Sequence, residues 1–144
     1  MAHRAAEEEL RKLSMEMRYL EQTADALQQR ISMVNAALTD INYANMTLDG
    51  MEKEKENSEM LIPIGGSSYV KVKLADTNKV IIGLGSGVSV EKTLPEAKTI
   101  LKERLDELEK TMHAAQQQYS QVAERMNSGR SRLESMLSTR EGKQ

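Results

Sequence analysis

Apolar residues recur at alternating steps of three and four positions over the first third of the chain. In heptad notation, with Leu10 at position a, six consecutive heptads carry apolar residues at positions a and d, with Asn45 as the one exception. A narrow stripe kept in phase over this length predicts a coiled-coil helix. The stripe consists of Leu10, Leu13, Met17, Leu20, Ala24, Leu27, Ile31, Val34, Leu38, Ile41, Asn45 and Leu48. Glu52 and Lys55 take the next a and d positions, so we expect the stripe to end at Leu48.

The last third of the chain carries a second stripe of the same kind. Its a and d positions are Leu101, Leu105, Leu108, Met112, Ala115, Tyr119, Val122, Met126, Gly129, Leu133 and Met136. The residues before it predict where this helix begins: Thr93 as N-cap, Pro95 in the first turn and Glu96 at the third helical position. The chain therefore has two matching coiled-coil segments.

The glycines gather between the two stripes, where residues 58–92 hold five of the eight. Period-two alternation bounded by turn residues predicts four short strands, at 60–64, 68–74, 79–84 and 88–91. Glycines mark the first and third turns, and Asp76, Thr77 and Asn78 mark the second. We interpret this segment as two consecutive β-hairpins.

Two stripes joined by about 35 residues predict that the chain folds back on itself, since an antiparallel pair buries both stripes. The heptad phase allows opposed residues whose numbers add up to 146 or to 153. We favour 153, because it ends the first helix near Asn57 and starts the second near Glu96; it also places Gly129 opposite Ala24. The expected fold class is α+β, a long antiparallel coiled-coil hairpin with two central β-hairpins. Its segments are 1–57, 58–92 and 93–144, which together form one domain.

The small predicted sheet demands a partner. Four short strands without Phe or Trp bury too little apolar surface to stand alone, and their edges are open. We therefore expect an oligomer held together through the strands. The residues expected to form that contact are Ile62, Ile64, Tyr69, Val70, Val72, Leu74, Val80, Ile82, Val88 and Val90.

Composition excludes several classes of function. The chain has no Cys and two His, which argues against a metal site, and we expect no metal and no cofactor. A net charge of -2 argues against a nucleic-acid partner. No apolar run reaches the roughly 18 residues of a membrane span, and no secretory signal is visible, so we expect no membrane partner and a cytoplasmic location. The segment 83–87 lacks the lysine of a phosphate loop, and the carboxylates have no pocket, so we expect no enzyme.

The central segment carries a resemblance to a known family. The run Leu61-Ile62-Pro63-Ile64-Gly65 and the turn Gly85-Ser86-Gly87-Val88, set between two coiled coils, resemble the prefoldin alpha-subunit family. The resemblance covers nearly the whole chain. It implies an ATP-independent co-chaperone in which two alpha-type and four beta-type subunits join their hairpins into a β-barrel base. It further implies that the coiled-coil tips hold unfolded proteins and deliver them to a group II chaperonin.

The resemblance also directs attention to the chain ends, where the coiled-coil tips would lie. Met15 falls at position f and Leu137 at position e, off the stripe, and exposed apolar groups suit a contact surface. The residues expected to bind clients are Leu10, Leu13, Met15, Met17, Leu133, Met136 and Leu137. The alternative is a structural coiled-coil protein that forms a homomeric assembly or filament through its hairpins. A nucleic-acid-binding helical hairpin would need a basic helix face, which the mixed charges over residues 11–30 do not show.

Overall fold

The computed structural model describes the backbone of residues 2–142 and the side chains of residues 2–139. The ends of the predicted segments, residues 1, 143 and 144, lie outside the described residues. The elements are α1 (Ala2–Glu52), β1 (Glu59–Gly65), β2 (Ser68–Lys73), β3 (Lys79–Gly85), β4 (Val88–Thr93) and α2 (Leu94–Gly142). Two long helices with two hairpins between them confirm the predicted α+β fold class. Within the described residues each sheet has two strands, so this chain alone closes no barrel.

The chain divides into two compact units, residues 1–36 with 109–144 and residues 37–108. In the first unit, segments of α1 and α2 pack through the predicted stripes. The buried side chains of this unit are Leu13, Met17, Leu20, Ala24, Leu27, Val34 and Ala115. All of them hold a or d positions, which confirms the heptad assignment there.

The register of this helix pair differs from the predicted one. A Cβ atom built on Gly129 would lie 2.5 Å from Met17 Sδ, so Gly129 lies opposite Met17. The Nε2 of Gln28 donates a hydrogen bond of 3.0 Å to the hydroxyl of Tyr119, which agrees with this alignment. Opposed residue numbers therefore add up to about 146, and the expectation that Gly129 faces Ala24 is wrong. The space left by a missing side chain is better filled by Met than by Ala.

The second unit has a core of its own, built from both helices and the hairpins. Its buried residues are Leu48, Met51, Ile82, Leu94, Ala97 and Leu101. Met51 is buried at position g, whereas Glu52 and Lys55 at the next a and d positions are exposed, so the stripe ends at Leu48 as predicted. Because α1 also packs against the hairpins in this unit, its buried apolar face is wider here than a coiled-coil stripe.

Polar contacts in the second unit hold its helices and the second hairpin in place. Lys98 Nζ lies 2.8 Å from Asp49 Oδ1 and 2.6 Å from Glu52 Oε2, which joins α2 to α1. Arg104 Nη2 donates a 2.7 Å hydrogen bond to the carbonyl of Gly83 in β3. The amide of Glu96 donates to Thr93 Oγ1 at 3.3 Å, which confirms Thr93 as the N-cap of α2.

The two hairpins share one plan, with equivalent residues 20 positions apart. Ile62 pairs with Val70 in the first, as Ile82 pairs with Val90 in the second. The register shifts just before each turn, at Gly65 and at Gly85, where φ is near +100°. A side chain would strain the backbone there, which explains both glycines. The predicted turn between the hairpins is confirmed by a 2.8 Å hydrogen bond from the amide of Asn78 to Asp76 Oδ1.

Candidate functional site

Two open grooves lie along the helix pair of the first unit. The groove nearer the chain termini, which we call the terminal groove, has a volume of about 480 Å³. Leu10, Met136 and Leu137 provide its apolar floor, and Arg132, Glu7 and Glu9 are among its polar lining residues. The second, which we call the inner groove, has a volume of about 620 Å³, and Leu13, Met17 and Leu20 lie along it. Each can accept apolar side chains against a polar rim.

The structure separates the predicted client-binding residues into an exposed and a covered set. Met15 is 65% exposed and Leu137 is 43% exposed, as their positions off the stripe predict. Leu13 and Met17 are buried in the stripe. The half-buried ones are Leu10, Leu133 and Met136. A partner can therefore reach the terminal groove directly, whereas Leu13 and Met17 become fully accessible only if the helices separate.

Charged side chains of both signs border the inner groove, including Glu16, Glu124, Arg125 and Arg132. A mixed rim around an apolar floor discriminates weakly between partners, because neither sign of charge dominates. Such a surface suits contact with many different apolar segments. Among the described side chains, no cluster of three or more His, Cys, Asp or Glu could hold a metal ion.

The second unit carries a separate apolar surface on its hairpins. Five of the predicted oligomerisation residues are exposed: Ile62, Ile64, Tyr69, Val70 and Val88. Four are half-buried: Val72, Leu74, Val80 and Val90. Ile82 is only 6% exposed and belongs to the chain's own core. Of these predicted contact residues, more are exposed on the first hairpin than on the second, so the first is more accessible to a partner.

The sequence prediction missed several exposed apolar side chains. On the hairpins these are Leu61, Ile81 and Leu84, and on α1 they are Tyr19, Met33, Tyr43 and Met46. The hairpin residues could have been found, because apolar residues on both faces of a strand indicate cover on both sides. The α1 residues hold positions away from the coiled-coil stripe, and one apolar residue at such a position does not by itself predict a contact. None of the helices in the described residues has a stretch long and apolar enough to cross a membrane.

Comparison with known proteins agrees with this geometry. The sequence profile of the family described as "Prefoldin: Prefoldin subunit" matches residues 5–137. The chain is 33% identical to prefoldin subunit alpha of Pyrococcus horikoshii, over 82% of this chain and 80% of the relative. It is 30% identical to prefoldin subunit alpha of Methanococcoides burtonii, over 85% of this chain and 89% of the relative.

Solved structures show the same fold at lower sequence identity. A filamentous PFD from Methanocaldococcus jannaschii superimposes with a TM-score of 0.65 at 19% identity, over 78% of this chain and 93% of that chain. The prefoldin beta subunit from Thermococcus strain KS-1 superimposes with a TM-score of 0.59 at 17% identity, over 88% and 90%. With a profile match across most of its length and relatives that are themselves alpha subunits, the chain belongs to the prefoldin family, as an archaeal-type alpha subunit.

Proposed function

We propose that this chaperone subunit captures unfolded proteins, without using ATP, at the ends of its helices and delivers them to a group II chaperonin. The observation that carries the proposal is the terminal groove, where Leu10, Met136 and Leu137 present an apolar floor to solvent. Unfolded chains expose apolar side chains, and a groove of this kind covers them without reading a particular sequence. The residues proposed to contact clients are Leu10, Leu13, Met15, Met17, Leu133, Met136 and Leu137.

One groove binds weakly, which suits temporary holding. Covering a single Leu-sized side chain contributes about 1.5–3 kcal/mol, well below the roughly 8 kcal/mol of a micromolar complex. Useful retention therefore needs several subunits to grip one client together, since linked weak sites raise the overall affinity. Leu13, Met17 and Leu133 add to this grip when the helices separate locally.

The hairpins are the surfaces through which we propose that several subunits assemble. The two hairpins have exposed apolar residues and two-stranded sheets whose edges can pair with strands of another chain. We propose that they join prefoldin beta-type subunits, in a hexamer of two alpha and four beta subunits. Native mass spectrometry with and without beta subunits tests this, and a stable homomeric assembly or filament formed without them would contradict it.

Client capture is tested by suppression of aggregation of a denatured protein. Leu137→Glu places a charge in the terminal groove, and we expect it to reduce suppression several-fold. The matched control is Ser138→Glu, which adds the same charge at the neighbouring exposed position. Equal suppression by the two variants would contradict the role of the groove.

Delivery is tested separately, by following a labelled client from the assembled protein to a group II chaperonin. We expect transfer without ATP hydrolysis by this subunit. If the client is held but is never transferred to the chaperonin, the proposed delivery is contradicted, whereas the proposed holding is not.

A further inference from the structure

Helix α1 carries a second stripe, on the side opposite the coiled-coil contact. Positions c and f hold no charged residue between Lys12 and Asp40. We call this set the outer stripe; it consists of Met15, Tyr19, Gln22, Ala26, Gln29, Met33 and Ala36. All seven are exposed, and Met15, Tyr19 and Met33 are exposed by 65%, 68% and 74%. Their spacing of three and four is that of a coiled-coil contact.

Large apolar side chains distinguish the outer stripe from the corresponding face of α2. From 103 to 138 the c and f positions of α2 hold Glu103, Glu107, Lys110 and Glu124 and otherwise only Ala, Gln and Ser. Solvent exposure by itself therefore does not account for the Met and Tyr residues on α1. A face that keeps coiled-coil spacing and excludes charge over three heptads is suited to packing against another helix.

We propose that the outer stripe docks on the outer stripe of a second copy of this chain, with the two helices antiparallel. Met15 and Met33 are equidistant from position 24, so an antiparallel pair that stacks these two residues places stripe residues whose numbers add up to 48 opposite each other. Met15 then packs on Met33 of the second copy, Tyr19 on its Gln29 and Gln22 on its Ala26. The contact is symmetric about a two-fold axis, so each of the two identical chains contributes the same residues to it.

Charged residues flank the stripe on both sides. On the side of Glu16, flanking residues meet where their numbers add up to 46, so Glu16 lies beside Arg30 of the second copy, and the symmetry repeats this pair. On the other side the sum is 50, so Asp25 meets Asp25 of the second copy at the axis, a single like-charged contact. An alignment shifted by one heptad would pair Arg18 with Asp25 and Glu9 with Arg30 and would separate the two Asp25 residues, but it would place Met33 opposite Glu8. Burial of two Met pairs contributes more to the free energy of association than exposed ion pairs do. We therefore expect the alignment that stacks Met15 on Met33.

Disulfide formation between different chains tests the alignment, because the natural chain has no Cys. A mixture of full-length Met15→Cys and Met33→Cys chains is expected to give mainly mixed disulfide dimers. A mixture of Met15→Cys with Ala26→Cys tests the shifted alignment, and Met15→Cys alone tests a parallel pair. Predominant cross-linking in either of these two controls, or none in the first mixture, would overturn the proposal.

Charge reversal tests the same contact in solution. Glu16→Arg and Arg30→Glu should each weaken association between assemblies about tenfold in sedimentation equilibrium, because attraction becomes repulsion at both symmetric pairs. The double reversal should restore it, and Asp25→Asn should strengthen it. Failure of the double variant to recover would overturn the pairing. Met15 is also among the residues proposed to contact clients, but these experiments contain no client and leave the hairpins unchanged, so they measure association separately from client capture.

Discussion

Met17 fills the space that Gly129 leaves in the helix pair. A Cβ atom on Gly129 would lie 2.5 Å from Met17 Sδ, closer than two such atoms can approach. Gly is a poor helix former, and its presence at a d position of α2 would otherwise leave a hole in the contact. The large residue on α1 and the absent side chain on α2 therefore form one packing layer.

This contact predicts that the effects of substituting the two residues depend on each other. Gly129→Ala gains about 1 kcal/mol in helix propensity, but in the wild-type chain it must displace Met17, so we expect little net change. In a Met17→Ala chain the same substitution should stabilise by about 1 kcal/mol. Chemical denaturation of the four proteins measures the coupling, and equal effects in both backgrounds would contradict the layer.

A larger side chain at the same position gives a second test. Gly129→Leu would strengthen a pair in which Gly129 faces Ala24, because it would fill a gap. Opposite Met17 we expect it to destabilise the helices by about 1–3 kcal/mol through overpacking. Amide exchange beyond residue 125 should become faster. Slower exchange would instead favour the alignment that adds up to 153.

The equivalent residues Ile62 and Ile82 should respond differently to the same change. Ile62 is 46% exposed and Ile82 is 6% exposed. Ile62→Asp is expected to disrupt assembly while helicity and melting of the chain stay close to wild type. Ile82→Asp puts a charge into the core and should destabilise the chain itself by about 3 kcal/mol or more. Sedimentation and circular dichroism distinguish the two, and full-size assembly of Ile62→Asp would contradict a hairpin contact.

The Lys98 ion pairs predict a pH dependence of stability at the alkaline end. Hydrogen bonds to Asp49, and then to Glu52, raise the pKa of Lys98 above its usual 10.5. The stabilisation is therefore complete below pH 10.5 and is lost as the pH rises through the higher folded-state pKa. We expect Lys98→Met to melt lower than wild type at pH 7, with the difference shrinking above pH 10.5. Lys102→Met, one turn further along α2, is the control and should show no such convergence.

Removing the helix ends should separate holding from assembly. Deletion of residues 1–16 together with 134–144 removes Leu10, Met136 and Leu137 and leaves the hairpins whole. We expect assembly of normal stoichiometry with beta subunits and loss of aggregation suppression. Unchanged suppression by the shortened chain would contradict a client site at these ends.

The sequence alone determined the elements of this protein and the faces they bury. Heptad spacing identified both stripes, because a helix with an apolar seam must turn that seam inward. Turn chemistry located both hairpins, and Thr93 marked the start of α2, because glycines and capping residues act within a few positions of the chain. Exposure of Met15 and Leu137 also followed from their positions off the stripe.

Only the tertiary structure decided which residues meet. Sliding one helix by a heptad keeps every a and d position in the contact, so periodicity cannot separate 146 from 153, whereas side-chain volumes at Met17 and Gly129 can. Met51 became buried because α1 also covers the hairpins in its unit. Ile62 and Ile82 have the same place in equivalent hairpins, yet only Ile82 lies in the core. Burial of this kind depends on contacts distant in sequence, which local patterns do not contain.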